Sequence, residues 1–295
     1  MIDLHIHTSY SDGTDSLIEL LEKAEKNKLE YISITDHDNC RVYDELRKIE
    51  GSKYYTGKII PGVEIKCGYK GRLIEILGYN VDTDKINDWS NEFYKDKTKS
   101  DLQEKYFNLL YDKCLQMGLV MSEKENIEFD RNKDWASVQI HKEIKRHTEN
   151  KEKVPEDFWE EFKIFSKKYC GDKNHILYIN KTLDYPTLEE AIKAVKDAGG
   201  LVFLAHVFIY DWAKDKKVLL KDILENYDID GIECYHSEFN EENIKYLEKF
   251  CKEKNYYMSG GSDYHGNNKP NIDLVVGKGN LKIDKKIVEE WNLEV

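Results

Sequence analysis

Ile2-Asp3-Leu4-His5-Ile6-His7-Thr8-Ser9-Tyr10-Ser11-Asp12-Gly13 carries the alternation that decides the fold. Ile2, Leu4 and Ile6 alternate with Asp3, His5 and His7, the period of a strand with one apolar and one polar face. That period sets both imidazoles on the same face at the strand's end, where they can converge on one cation. Ser11–Thr14 reads as a turn. Asp15 is then expected to cap a helix with Leu17, Ile18, Leu20, Leu21 and Ala24 on one face.

The same unit recurs along the chain. Tyr31–Thr35 reads as a second strand, followed at once by Asp36-His37-Asp38, with a helix expected at 41–50. Lys58–Ile65 reads as a third strand, closed by Glu64, and Leu73–Tyr79 as a fourth, containing Glu75. After Asp82 the texture changes to Lys, Glu and Asn, with helical periodicity at Phe107, Leu110, Tyr111, Cys114 and Leu115 and again at Phe158, Trp159, Phe162 and Phe165. The expectation is a mainly helical insertion over 83–182, interrupting a domain formed by 1–82 and 183–295. Phe158, Trp159, Phe162 and Phe165 are expected to pack against the other domain rather than to stack on bases.

Strand–helix alternation resumes with a helix near Leu188–Ala198, the strand Leu201–Ala205 running into His206, and a helix near Val218–Asn226. The strand Ile229–Cys234, the helix Glu241–Lys254, the strand Tyr256–Ser259 before Gly261-Ser262-Asp263-Tyr264-His265, and a last strand at Leu274–Val276 follow. Alternating strands and helices imply an α/β fold with parallel pairing and right-handed crossovers, and about seven strands suggest a closed or nearly closed barrel with its chemistry at the C-terminal strand ends. Six of the nine histidines fall at such ends: His5, His7, His37, His206, His236 and His265. His141, His147 and His175 lie in the insertion without that context. Charges packed at one mouth repel unless cations relieve them, so the clustered carboxylates and imidazoles point to a divalent metal site.

Composition narrows the classes. The 295 residues carry a net charge of −12, which disfavours binding to duplex DNA. Mean hydropathy is −0.71 and no apolar run reaches the ~18 residues of a membrane span. Met1–His5 shows no secretory pattern, and six scattered cysteines without C-x-x-C read as free thiols, so the expected location is the cytoplasm.

His5-Ile6-His7-Thr8…Ser11-Asp12-Gly13, Thr35-Asp36-His37, Gly62-Val63-Glu64, Ala205-His206 and Gly261-Ser262-Asp263-Tyr264-His265 together resemble the motif set of the PHP (polymerase and histidinol phosphatase) superfamily. The resemblance runs over about 1–82 and 183–280. It is greatest to the branch with a helical insertion, which holds nucleoside 3′,5′-bisphosphate phosphatases and 5′–3′ exoribonucleases. It implies a distorted (β/α)7 TIM-like barrel and two or three divalent metals (Mn, Fe or Zn). His5, His7, Glu64 and Asp263 would hold the first, and Asp12, His37 and His265 the second. Glu64 would reach a third with His206 and Glu75. Glu75 stands where relatives carry histidine, a change that favours Mn over Zn.

The implied reaction is hydrolysis of a phosphate monoester, of a nucleotide or short RNA, by a metal-activated hydroxide, with His206 close to the reacting phosphate and Asp36 orienting His37. An alternative role for Asp36 is a helix N-cap. Relatives grip phosphate with arginines at the start of the insertion. Here Lys97, Lys99 and Lys105 occupy that region and Arg131 and Arg146 come later. Lys99, Arg131, Arg146 and His236 are the expected substrate contacts, and Glu233 is a further candidate. The alternative readings are a histidinol-phosphate phosphatase and a non-catalytic, metal-binding regulatory barrel. Oligomeric state is left open.

Overall fold

The computed structural model describes residues 1–95 and 97–293. It forms two units, Met1–Glu92 with Tyr185–Val295, and Phe93–Asp184. The second unit begins at Phe93 rather than at residue 83. The helix Thr83–Tyr94 buries Ile86, which belongs to the apolar core of the first unit.

In the first unit β1 (Ile2–Ile6), β2 (Tyr31–Ile34) and β3 (Lys58–Ile59) form a parallel sheet in that order. β4 (Gly62–Tyr69), β5 (Arg72–Tyr79), β6 (Leu201–Leu204), β7 (Gly231–His236) and β8 (Tyr257–Gly261) form a second sheet, also in chain order. The expectation of uniform parallel pairing fails at β5, which is antiparallel to both β4 and β6. The cause is local. Only Lys70 and Gly71 join β4 to β5, both at positive φ (47° and 74°), and a two-residue link can connect only antiparallel neighbours. The expected third strand is cut into β3 and β4 around Pro61, which has no N–H for a ladder.

Leu274–Val276 is not a strand. It is a turn between Asp273 and Gly277, and the Val275 N–H donates to Asp3 Oδ2 at 2.8 Å. Isolated bridges join the two sheets at Ile6–Tyr264 and His37–Glu64, next to the polar residues singled out by the sequence.

Helices Leu17–Lys26, Leu188–Asp197, Lys216–Asn226 and Glu241–Lys254 turn their apolar stripes to this core. Ser16, not Asp15, caps the first, in a reciprocal pair with Glu19. Asp15 instead accepts from Lys23 Nζ at 2.6 Å and from the Tyr264 hydroxyl at 2.9 Å. The expected helix at 41–50 ends earlier, as Arg41–Leu46.

The second unit has its own core. Helices Lys99–Gln116 and Ala136–Arg146 bury Phe107, Leu110, Cys114, Ile140 and Ile144 with Phe158 and Phe165. Of the aromatic series, Phe158, Trp159 and Phe165 are buried in this core, whereas Phe162 is 37% exposed. All six cysteines are free thiols. Among the described residues no helix is long and apolar enough to cross a membrane.

Candidate metal centre

The site draws His5 from β1 and His7 just after it, His37 from the loop after β2, Glu64 from near the start of β4 and Glu75 from the middle of β5. His206 follows β6, His236 ends β7, and Asp263 and His265 follow β8. Three of the backbone positions are left-handed without being glycine: Asp38 (φ 57°), His206 (φ 25°) and Asp263 (φ 57°). Such strain costs about 1–3 kcal/mol at each residue and gathers at functional sites. Backbone bonds hold it in place. The His206 N–H donates to Glu233 Oε2 at 2.7 Å, the Asp263 N–H to the His5 carbonyl at 2.9 Å, and the Asp38 N–H to the Glu64 carbonyl at 2.7 Å.

The second ring nitrogens fix the tautomers. His5 Nδ1 lies 2.8 Å from Glu233 Oε1, an acceptor, so Nδ1 carries the proton and Nε2 presents a lone pair. The Ser11 hydroxyl donates to Asp36 Oδ1 at 2.5 Å, so its oxygen receives His7 Nδ1–H at 3.4 Å, and His7 Nε2 is also a lone pair. His265 Nδ1 donates to the Asp263 carbonyl at 2.9 Å, leaving Nε2 bare.

These bare atoms face one another. His5 Nε2 and His7 Nε2 are 3.1 Å apart. Glu64 Oε2 lies 3.3 Å from the first and 3.2 Å from the second. Asp263 Oδ1 is 3.6 and 3.4 Å from the same nitrogens. His265 Nε2 meets Asp12 Oδ1 at 3.1 Å, and His37 approaches Glu64 Oε2 at 3.2 Å and Asp12 Oδ2 at 3.6 Å. Asp12 Oδ1, His37 Nδ1 and His206 Nδ1 are buried without a hydrogen-bond partner. Acceptors gathered without donors are the donor set of a cation, and imidazole with carboxylate suits Mn, Fe or Zn. Three overlapping groups meet this geometry, His7–Asp12–His37–His265, His5–His7–Glu64 and His37–Glu64–Glu75, and a fourth, His5–His236–Asp263, meets the distances but not the lone pairs, because His236 donates to Asp263.

The electrostatics follow. Burial alone would depress the His5 imidazolium, but Glu64, Glu233 and Asp263 reverse this and hold its pKa well above the ordinary value. His7 is raised to about 9 by Asp263 and Glu64 against the same burial, so the lone pairs described above are those of the neutral rings, which a cation would bind in place of the proton. Burial would raise the Asp263 carboxyl, yet His5, His236 and His7 keep it well below the usual range. His265 goes the other way, lowered by burial.

Several expected roles change. His236 is wholly buried, which excludes the alternative of a surface position. Its Nδ1 accepts the Glu238 N–H at 3.1 Å, so Nε2 carries the proton and donates to Asp263 Oδ2 at 3.3 Å. A ring used in this way positions Asp263 and has no lone pair left for a metal. Lys269 holds the same oxygen at 2.5 Å, which leaves Oδ1 to the His5 and His7 side.

Glu233 is also fully buried, against His5 and the His206 N–H, where it positions both. Asp36 neither orients His37 nor caps a helix. Its carboxylate accepts from the Thr8 N–H (2.8 Å), the Thr8 hydroxyl (2.5 Å) and Ser11, and so acts on His7. His206 Nε2 stands 2.9 Å from Glu64 Oε1 and 3.4 Å from Glu75 Oε2, so Glu75 faces this cluster.

In the helical unit Arg131 pairs with Glu104, and Arg146 lies 3.4 Å from Glu143. Lys105 reaches Asp184 at 2.5 Å, and Lys97 stands over the Phe93 ring at 4.4 Å. The side chain of Lys99 lies outside the described residues. Sequence reasoning missed Lys66, whose ammonium is 2.9 Å from Glu75 Oε1, and Lys269. Lysine at period 2 after Glu64 on one strand was the available signal for Lys66.

Fold and site thus define an α/β protein that gathers His, Asp and Glu groups able to hold metal ions. The PHP domain family model matches residues 3–257, and the chain belongs to that family. It is a metal-dependent phosphoesterase, a hydrolase. It is 25% identical to a phosphoribosyl 1,2-cyclic phosphate 1,2-diphosphodiesterase of Eggerthella lenta over 90% of this chain and 94% of that protein. It is 27% identical to a 5′–3′ exoribonuclease of Haemophilus influenzae over 98% and 97%. A solved structure from Bifidobacterium adolescentis, described as a metal-dependent phosphoesterase, shares the fold with a TM-score of 0.63 at 22% identity, over 98% of this chain and 94% of that one.

Proposed function

We propose that this protein hydrolyses phosphate esters of nucleotides or short RNA. The observation that carries the reading is the set of bare imidazole nitrogens and carboxylate oxygens converging on Glu64. His5, His7, Glu64 and Asp263 would hold one divalent cation, and Asp12, His37 and His265 a second. Glu64, His206 and Glu75 border a third position. A divalent cation such as Mn, Fe or Zn held by these residues would supply Lewis acidity, lowering the pKa of a water and offsetting charge that develops on the phosphoryl oxygens.

The chain's own residues do the rest. Glu233 and the Asp36–Ser11 pair hold the rings of His5 and His7 with their lone pairs inward. His236 and Lys269 turn Asp263 so that one oxygen stays on the cation side. His206, at its strained position, faces the reacting phosphate and donates to it when protonated; its neighbours Glu64, Glu75 and Glu233 raise its pKa against burial.

In this reading the two sheets of the first unit are one distorted (β/α)7 barrel. β3 and β4 count as a single strand interrupted at Pro61, and the bridges Ile6–Tyr264 and His37–Glu64 link its sheets. The helical insertion adds substrate contacts, with Lys99 first. Arg131 and Arg146 contribute only by exchanging Glu104 and Glu143 for a substrate anion.

Kinship to a cyclic phosphodiesterase and to an exoribonuclease supports a nucleotide or oligonucleotide substrate over histidinol phosphate. Phosphate or nucleotide release from Mn-reconstituted protein tests it, with nucleoside 3′,5′-bisphosphates, 5′-phosphorylated short RNA and histidinol phosphate as substrates. Turnover of the first two is expected. Turnover of histidinol phosphate alone would replace this reading with the amino-alcohol phosphatase, and turnover of none would leave a non-catalytic barrel.

A further inference from the structure

Lys66 stands directly across from Glu75 in the β4–β5 register and two residues beyond Glu64 on the same face of β4. Its ammonium bonds Glu75 Oε1 at 2.9 Å, while Glu75 Oε2 lies 3.4 Å from His206 Nε2. One carboxylate thus spans a fixed cation and the candidate metal nitrogen. The Lys66 N–H donates to Asp38 Oδ1 at 3.1 Å, which ties the start of this side chain to the loop that carries His37. The Lys66 side chain is 31% exposed and that of Glu75 16%, so the pair sits at the edge of the site and not in bulk water.

We propose that the Lys66 ammonium takes the charge-balancing place of a third divalent cation, so that this chain works with two metal ions and a lysine. The proposal rests on the reading of His5, His7, Asp12, His37, Glu64, Asp263 and His265 as a two-cation site. Two physical arguments carry it beyond that reading. First, a carboxylate beside Glu64 adds like charge to a buried cluster, and a cation directly on that carboxylate relieves it. A neutral imidazole at residue 75 would give Lys66 no such partner.

Second, a divalent ion ligated by Glu75 Oε2, Glu64 Oε1 and His206 would face the ammonium across a single carboxylate. Coulomb repulsion at that separation in a partly buried site opposes its binding. An ammonium has three donors, more than Glu75 Oε1 alone consumes, and so has capacity for a phosphoryl oxygen.

The test is the bound Mn per chain, measured by elemental analysis after gel filtration of the full chain, together with Mn titration calorimetry. Wild type and Lys66→Arg are expected to retain two ions, and Lys66→Gln to take up a third with affinity at least about tenfold tighter than wild type shows for it. Glu75→Gln, which does not depend on Lys66 variants folding, is expected to keep two. Three ions in the wild type, falling to two in Glu75→Gln, would overturn the proposal and leave the metal reading standing. Two in a folded Lys66→Gln with no gain in affinity would also overturn it. Fewer than one ion in the wild type would instead sink the reading of the site itself.

Discussion

At the scale of single residues, the site is organised by which nitrogen of each imidazole is already engaged. Glu233 fixes His5 through Nδ1 and holds the His206 backbone with its other oxygen. Glu233→Gln is therefore expected to lower metal affinity or turnover by about 10–100-fold, the usual effect of losing a carboxylate behind a ligating histidine. Unchanged Mn affinity and turnover would show that the His5 ring is held without it.

Glu64 touches all four histidines His5, His7, His37 and His206. Glu64→Ala should reduce turnover by more than about a hundredfold, and adding Asp263→Ala should cost little more, because groups acting as one unit are not additive. Near-normal turnover of Glu64→Ala would remove it from the centre. The sequence showed these ligand types at strand ends, since alternation and strand termination are local. It did not show the roles of His236, Glu233 and Asp36, which depend on partners 27, 228 and 25–28 positions away in the chain.

At the scale of elements, most helices were legible because amphipathic stripes and caps are local signals; Glu241–Lys254 matches its expected bounds. Strand direction was legible only up to the hairpin. The short link at Lys70-Gly71 carries a turn signal, and reading it would have reversed β5. Gly71 sits at φ 74° with open space around a would-be Cβ, so Gly71→Ala meets backbone strain and no clash. It should destabilise the first unit by about 1–2 kcal/mol in urea unfolding; no loss would mean that the turn relaxes freely.

In the helical unit Glu143 is buried, accepts the Ser122 N–H at 2.9 Å and pairs with His147 at 2.9 Å. Burial would raise its pKa, but the Ser122 bonds and His147 outweigh it and the net shift is downward. A carboxyl depressed in the folded state contributes stability above its unfolded pKa, and that stability is lost as pH falls through the folded value. Glu143→Gln should therefore destabilise the protein by about 1–3 kcal/mol at pH 7 and by less near pH 3. An equal loss at both values would contradict the assignment.

For the whole molecule, the chain spends a strained, acid-rich strand-end cluster inside an otherwise apolar core, and cations account for that arrangement. Against a net charge of −12, the proposed reading needs local positive charge, which bound ions with Lys66 and Lys269 would supply, to hold an anionic substrate. The division into units was legible as a change of composition, though its boundary was not, because Ile86 packs into the first core from a helix of insertion-like sequence. The most direct test of a polynuclear centre is anomalous diffraction from crystals of Mn-reconstituted protein. Two peaks are expected roughly 3.5–4 Å apart, each within about 2.0–2.6 Å of its ligand atoms and both sharing the Glu64 carboxylate. A map with no peak within about 5 Å of Glu64, well beyond ligation distance, would contradict the account.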